Sequence, residues 1–338
     1  MNRLYATFNY PNAVENSNTF LTGIRGPDSI TSNDSDHDLY ISGLYQDGNN
    51  FTTFVYKGDI LGNGTFYPLS YPSGPNVTVT KTSLYGPCIL ANGLIRVVGN
   101  YNTAEAGSKA LGCLYEGPLD GSGRWITLNP QSLASDAVIN TIAHSTIKDV
   151  VVGNYDTLLV QGKAFIYVIS KNKYYDIKVP KSLSTTAYGV WYNGHQSYTI
   201  AGGYATLGLH AYLVDWDAKH RTFGKFVKYN YNNKPDIVTH FNGITTDGKH
   251  GYYLTGDWVD RNSLDRNYAF LAHVKRNATD ACGKKVYQLS RTAKWESITF
   301  PNADVTSGNS VYKRTVIGIY QNIDDTAING YVSFPYCG

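Results

Sequence analysis

The chain has 338 residues, a formal net charge of +3, 29 tyrosines, 33 glycines and a single methionine. So small a charge, spread without a basic stripe, argues against nucleic acid as a partner, and apolar runs as short as DVVVGNY and RTVIGIY cannot cross a bilayer. Abundant Tyr, Thr, Val and Ile, punctuated by Gly and Asn, reads as strands joined by turns.

In chain order, LYATFNYP (4–11) is a strand of alternating aromatics, and NTFLTGIRG (18–26) is a Thr-rich strand. Then comes YISGLY (40–45), the first copy of an element that reads apolar-x-Gly-x-aromatic. It recurs as VVGNY (97–101), VVGNY (151–155), IAGGY (200–204), LTGDW (254–258) and VIGIY (316–320). The glycines at 43, 99, 153, 202, 256 and 318 are spaced by 56, 54, 49, 54 and 62 residues. After each copy follow a polar loop, a second apolar strand such as TTFVYKG or ALGCLYEG, and a strand ending in or near Pro: TFYPLSYP, RWITLNP, YYDIKVP, KFVKYNY, KWESITFP. A short Thr/Ser/Asn-rich strand then leads into the next copy.

Four strands per period, six times over, predict an all-β, six-bladed β-propeller spanning 1–338 as one domain. The C-terminus stops at a third strand, GYVSF, so the N-terminal strand is expected to supply the missing fourth and close the ring. The spacing of 62 predicts an insertion between the fifth and sixth copies, not a seventh blade.

Four cysteines allow three pairings, of which Cys88–Cys113 with Cys282–Cys337 is the economical set. No zinc-ligand spacing appears, and the eight histidines are scattered. The acidic run Asn33–Asp38 lacks the Gly and distal Glu of a calcium loop and reads as solvated. No metal or cofactor is expected. Five Asn-x-Ser/Thr sequons, at Asn33, Asn50, Asn63, Asn76 and Asn277, together with the cysteines point to a secreted glycoprotein. MNRLYATFNYP has no apolar leader core, so the expectation includes a leader already removed.

A residue demanded by every repeat is scaffold, which sets aside the Gly-x-aromatic rings as a group. Departures from the repeat are Phe20, Tyr85, His144, Tyr188, Trp191 and His240 on the strands facing the central channel. Arg261 and Arg266 stand out in the long loop VDRNSLDRN (259–267), and Trp258 is the one Trp in the aromatic series. Together they would make an aromatic-walled pocket with a few donors, the usual composition of a small-molecule site.

In repeat number, size, sequons and aromatic content the chain resembles the fungal hetero-Diels–Alderases of tropolonic sesquiterpenoid biosynthesis. The resemblance implies a cofactor-free enzyme joining a tropolone quinone methide to a humulene-type olefin, with hydrophobic small molecules as partners. Such a site works by holding diene and dienophile in near-attack geometry. Under it, His240, Tyr188 and Arg266 are the candidate acids. Trp191, Phe20, Tyr85, Trp258, His144 and Arg261 are the candidate substrate-binding residues. The alternative is a secreted carbohydrate-binding, lectin-like propeller, although the loops after the Gly-x-aromatic strands differ too much for six equal sugar sites. An interaction scaffold is a third reading, and the oligomeric state is open.

Overall fold

The computed structural model describes residues 3–27, 38–261, 266–281, 284–323 and 325–336. Six antiparallel sheets succeed one another along the chain, each with four strand positions. Blade 1 runs Asn18–Arg25, Leu39–Asp47, Asn50–Gly58, Gly64–Pro68, from the innermost strand outward. Blade 2 is Val79–Ile89, Ile95–Thr103, Leu111–Gly117, Arg124–Leu128. Blade 3 is Val138–Ile147, Val150–Thr157, Lys163–Val168, Lys173–Ile177.

Blade 4 has both its innermost and outermost strands broken. Ser184–Thr185 and Gly189–Gly194 lie inside Ser197–Ala205 and Leu209–Asp217, and Thr222–Phe223 and Val227–Tyr229 share the outer edge. Blade 5 is Ile237–Thr246, Tyr252–Asp260, Tyr268–Val274 and Lys294–Ile298. Its expected insertion is a hairpin, Arg276–Ala281 with Lys284–Leu289. Arg276 ties that hairpin to blade 4 by pairing with Asp215 and donating to Thr199.

The ends close the ring as the repeat requires. Arg3–Thr7 pairs with Asn329–Pro335, outside Thr315–Asn322 and Ala303–Tyr312, and becomes the outer strand of blade 6. Arg3 fastens the seam by donating to Ser333 Oγ at 2.8 Å and pairing with Glu296 at 3.4 Å.

The repeat has a steric cause. Every Gly-x-aromatic element is the second strand of its blade, beside an inner strand that is bulged or interrupted opposite the glycine or, in blade 2, just beyond it. The inner-strand carbonyls of Phe20, Ser83, Ile142, Thr186, His240 and Ser307 press onto Gly43, Gly99, Gly153, Gly202, Gly256 and Gly318 in turn, where a Cβ would collide with them. Only glycine lets the bulge and its neighbour approach so closely.

A second register mark is a buried threonine one step earlier on each inner strand: Thr19, Thr82, Thr141, Thr185, Thr239 and Thr306. Five of them accept the backbone N–H of the incoming linker, from Tyr10, Tyr71, Val179, Tyr231 and Phe300. The linker residue therefore occupies the same place in each of these blades.

One pairing differs from expectation. Cys88 and Cys113 are buried thiols not joined to each other. Cys88 pairs in register with Arg96 and Cys113 with Gly99, on opposite sides of the strand Ile95–Thr103. Two strand spacings, about 9–10 Å, exceed the roughly 7 Å Cα separation that a disulfide spans. Cys282, Cys337 and residues 33–37 of the acidic run lie outside the described residues. Asn50, Asn63 and Asn76 are exposed, as sequons acceptable to a glycosyltransferase must be.

Candidate functional site

The six inner strands converge on the axis with one residue each just past the register mark: Thr22, Tyr85, His144, Tyr188, Asn242 and Asn309. Four of the residues singled out from sequence meet here. The rings of Tyr85 and His144 lie 5.0 Å apart, His144 stacks on Tyr188 at 3.7 Å, and Tyr188 meets His240 edge-on at 4.5 Å. A run of aromatic contacts thus crosses blades 2, 3, 4 and 5.

Each histidine is held in one tautomer. Asn154 Oδ1 accepts the Ala187 N–H, so its Nδ2 faces His144 Nε2 and donates to it at 3.1 Å. Asn242 Nδ2 donates to Asp257 Oδ2 and to the Gly308 carbonyl, which turns its Oδ1 toward His240 Nδ1–H at 2.6 Å. His240 Nε2 is then the acceptor facing the Thr186 hydroxyl at 2.7 Å. Asp257 Oδ1 accepts the Gly308 N–H.

Burial, reinforced by the neighbouring His240, pushes His144 down to about 3. Burial likewise takes His240 down to about 4, against the raising effect of its bond to Asn242. Burial raises the Asp257 carboxyl despite its donors, and lifts Tyr85 to about 12. The two imidazoles are neutral at physiological pH, and His240 has its proton on the nitrogen bound to Asn242. It therefore lacks the available proton that a general acid must give.

Next along the strands, Gly23, Gly86, Gly189 and Gly243 let adjacent blades come together. Gly86 abuts the backbone of His144 and Ser145, and Gly243 that of Ser310 and Val311. The cavity bounded by Thr22, Arg25, His144, Tyr188, Asn242 and Asn309 measures about 20 Å³, room for one water. A cycloaddition pocket in the channel, as the sequence led us to expect, would need far more.

The other candidates lie apart. Trp191 is 6% exposed and sits farther along its inner strand under the Arg25 guanidinium, 5.1 Å from its ring. Phe20 is half-buried on blade 1. Trp258 is stacked between Tyr231 and Tyr268, at 4.4 and 4.6 Å. Arg261 and Arg266 are exposed, the first reaching the Leu207 carbonyl and the second lying 3.9 Å from Asp304.

A larger space opens in blade 4, one of the two blades without an aromatic linker residue. In blades 1, 2, 5 and 6 the linker residue is aromatic and plugs a socket in the blade it enters. Tyr10 stacks on Tyr45 at 4.9 Å, Tyr71 on Tyr101 at 3.8 Å, Tyr231 on Trp258 at 4.4 Å and Phe300 on Tyr320 at 3.7 Å. Each plug also touches an outer-strand ring: Phe66, Trp125, Trp295 or Tyr5, at 5.2–6.0 Å.

In blade 3 the plug is Pro130, followed by the turn Gln131–Leu133, whose Leu133 packs on the cluster containing Tyr155. In blade 4 it is Val179. The blade 4 socket keeps its walls, with Tyr212 at 6.3 Å from Tyr204 and 5.5 Å from Phe226. With no ring between them, a groove of about 470 Å³ remains, lined by Val179, Pro180, Tyr204, Tyr212, Gly224, Lys225, Phe226 and Lys228. Its walls are apolar except for the two exposed lysines. The Tyr212 hydroxyl is already donated to the Thr186 carbonyl.

Sequence reasoning missed Thr186, Asn154, Asn242 and Asp257, and the whole socket. Asn154 and Asp257 left a trace as variation at one fixed repeat position. The residue after the repeat glycine runs Leu44, Asn100, Asn154, Gly203, Asp257, Ile319, and Gly203 is where a side chain would strike the His240 ring. The socket was visible as KVP where other linkers read NYP, SYP and TFP.

No protein-family model matches the chain, and no curated protein matches it. Solved structures similar in fold include the extracellular domain of a one-component system of B. thetaiotaomicron, with TM-score 0.41 and 10% identity over 99% of this chain and 40% of that one. A tail fiber of Staphylococcus aureus phage P68 gives 0.33 and 11% over 85% of this chain and 52% of that one. The WD40 domain of SCAP from fission yeast gives 0.33 and 9% over 93% and 94%. The chain thus spans less than two thirds of the first two.

Proposed function

We propose that this propeller is a cofactor-free small-molecule enzyme of the hetero-Diels–Alder type, and that its reaction takes place in the blade 4 socket and not on the axis. The open aromatic socket is the observation that supports the reading. Its volume falls in the range of small-molecule sites, and its make-up of apolar walls with few polar groups is theirs too. Tyr204 and Phe226 would sandwich the flat conjugated ring of a quinone methide, and the apolar floor would take the olefin.

The cycloaddition forms one C–C and one C–O bond from the four-atom heterodiene and the alkene. It transfers no proton and consumes no oxidant, so positioning is the main requirement. The ammonium groups of Lys225 and Lys228 stand at the rim, where they would stabilise negative charge developing on the methide oxygen. A sugar fits less well, because most of its hydroxyl groups would face apolar walls without partners.

The test is stereochemical. The intact protein is incubated with a tropolone quinone methide precursor and humulene, and the adduct is resolved on a chiral column. One enantiomer in excess, lost in Tyr204→Ala and reduced in Lys225→Gln/Lys228→Gln, supports the reading. A racemic adduct at the uncatalysed rate sinks it.

A further inference from the structure

We infer that Val179 is the specificity-determining residue of the blade 4 socket: its small side chain leaves out the aromatic plug of the sibling blades, and a ligand's flat aromatic ring takes that place. The inference deepens the reading of the socket as the reaction site and rests on it for the ligand's role in catalysis.

Four sockets of the same chain show what the walls accept, a ring stacked at 3.7–4.9 Å on the Gly-x-aromatic side chain. The backbone of the fifth is in the same position. Val179 N–H donates to Thr185 Oγ1 at 3.3 Å, just as Tyr10, Tyr71, Tyr231 and Phe300 donate to their own register threonines. Pro180 follows Val179 as Pro11, Pro72 and Pro301 follow three of the plugs. The difference is therefore the side chain, not the path of the chain.

Charge narrows the ligand further. The lining contains Lys225 and Lys228 and no carboxylate, and the linker that carries Val179 places exposed Lys178 and Lys181 on either side. An aromatic ring bearing an anionic group matches both the vacancy and its rim.

The experiment uses 8-anilinonaphthalene-1-sulfonate as the ring-bearing anion, with the intact protein, fluorescence titration and thermal melting. Wild type should bind one molecule per chain. Val179→Tyr should abolish that binding and raise the melting temperature by about 1–2 °C, because it restores a stacked pair. Val179→Ile, which adds bulk without a ring, should change neither by much. Lys225→Gln/Lys228→Gln should weaken binding about tenfold, the scale of two exposed charge contacts.

Undiminished dye binding in Val179→Tyr overturns the inference, as does a melting temperature that falls in Val179→Tyr. Loss of dye binding in that variant with cycloaddition unchanged leaves the socket a ring site and removes the reaction from it. Failure of the inference and failure of the proposed function are thereby told apart.

Discussion

The axis and the blade 4 socket are opposite outcomes of one repeat. On the axis every blade contributes a side chain at the same register, and the result is a closed polar network whose histidines are each committed to a partner. At the socket blade 4 has neither the aromatic plug of four blades nor the Pro130–Leu133 turn of blade 3, and a cavity more than twenty times larger is left. Titratable groups with displaced pKa values are often taken as marks of function, and here they lie in the network that joins the inner strands. The less conspicuous site, built from Tyr204, Tyr212, Phe226 and two lysines, has the room.

This contrast can be broken from the axis side first. Trp191→Ala should cost about 3–5 kcal/mol of unfolding free energy, since it empties a buried indole site. Denaturant melts check it, and a loss under 1 kcal/mol would return Trp191 to the substrate-binding candidates. Next in size is Gly203→Ala, whose added methyl would meet the His240 ring. It should cost about 1–3 kcal/mol and be partly rescued in the double variant with His240→Ala. Additive losses in that cycle would show that the two positions are not coupled.

Acid acts on the same network. The unfolded chain protonates His144 and His240 near their ordinary value, whereas the folded chain does so only near 3 and 4. Between those limits the unfolded state binds more protons, so stability is full above pH 6.5 and is lost as pH falls toward 4. Asp257, whose pKa is raised in the fold, acts with the opposite sign and offsets part of the loss. Melting temperature should drop by several degrees from pH 7 to 4.5 in wild type and by less in His144→Gln/His240→Gln. An identical drop in both would remove the histidines from the account.

How much of this was legible in the sequence depends on whether a feature is a presence or an absence. The repeat glycines were legible because a carbonyl forbids any Cβ there, and the closing strand because an outer place was empty. Tyr85, His144, Tyr188 and His240 were legible as axial departures, and the structure gathers them into one cluster. Their partners left a fainter trace: Asn154 and Asp257 vary at the position after the repeat glycine, but one strand alone does not reveal that they and Asn242 act through register with neighbouring strands and blades. The socket's trace is only a missing ring, Val179 in a linker otherwise like its neighbours. The Cys88–Cys113 pairing failed because proximity in sequence ignores the strand that separates them.

The most direct test of the central contrast sets Tyr204→Ala beside Tyr101→Ala, the same repeat position in an open and a plugged socket. Removing the Tyr101 ring exposes the stacked Tyr71 and should cost about 3 kcal/mol, with dye binding and adduct formation per folded molecule unchanged. Removing the Tyr204 ring should cost about 1 kcal/mol or less and abolish both. Equal stability losses, with ligand binding intact in Tyr204→Ala, would contradict the account.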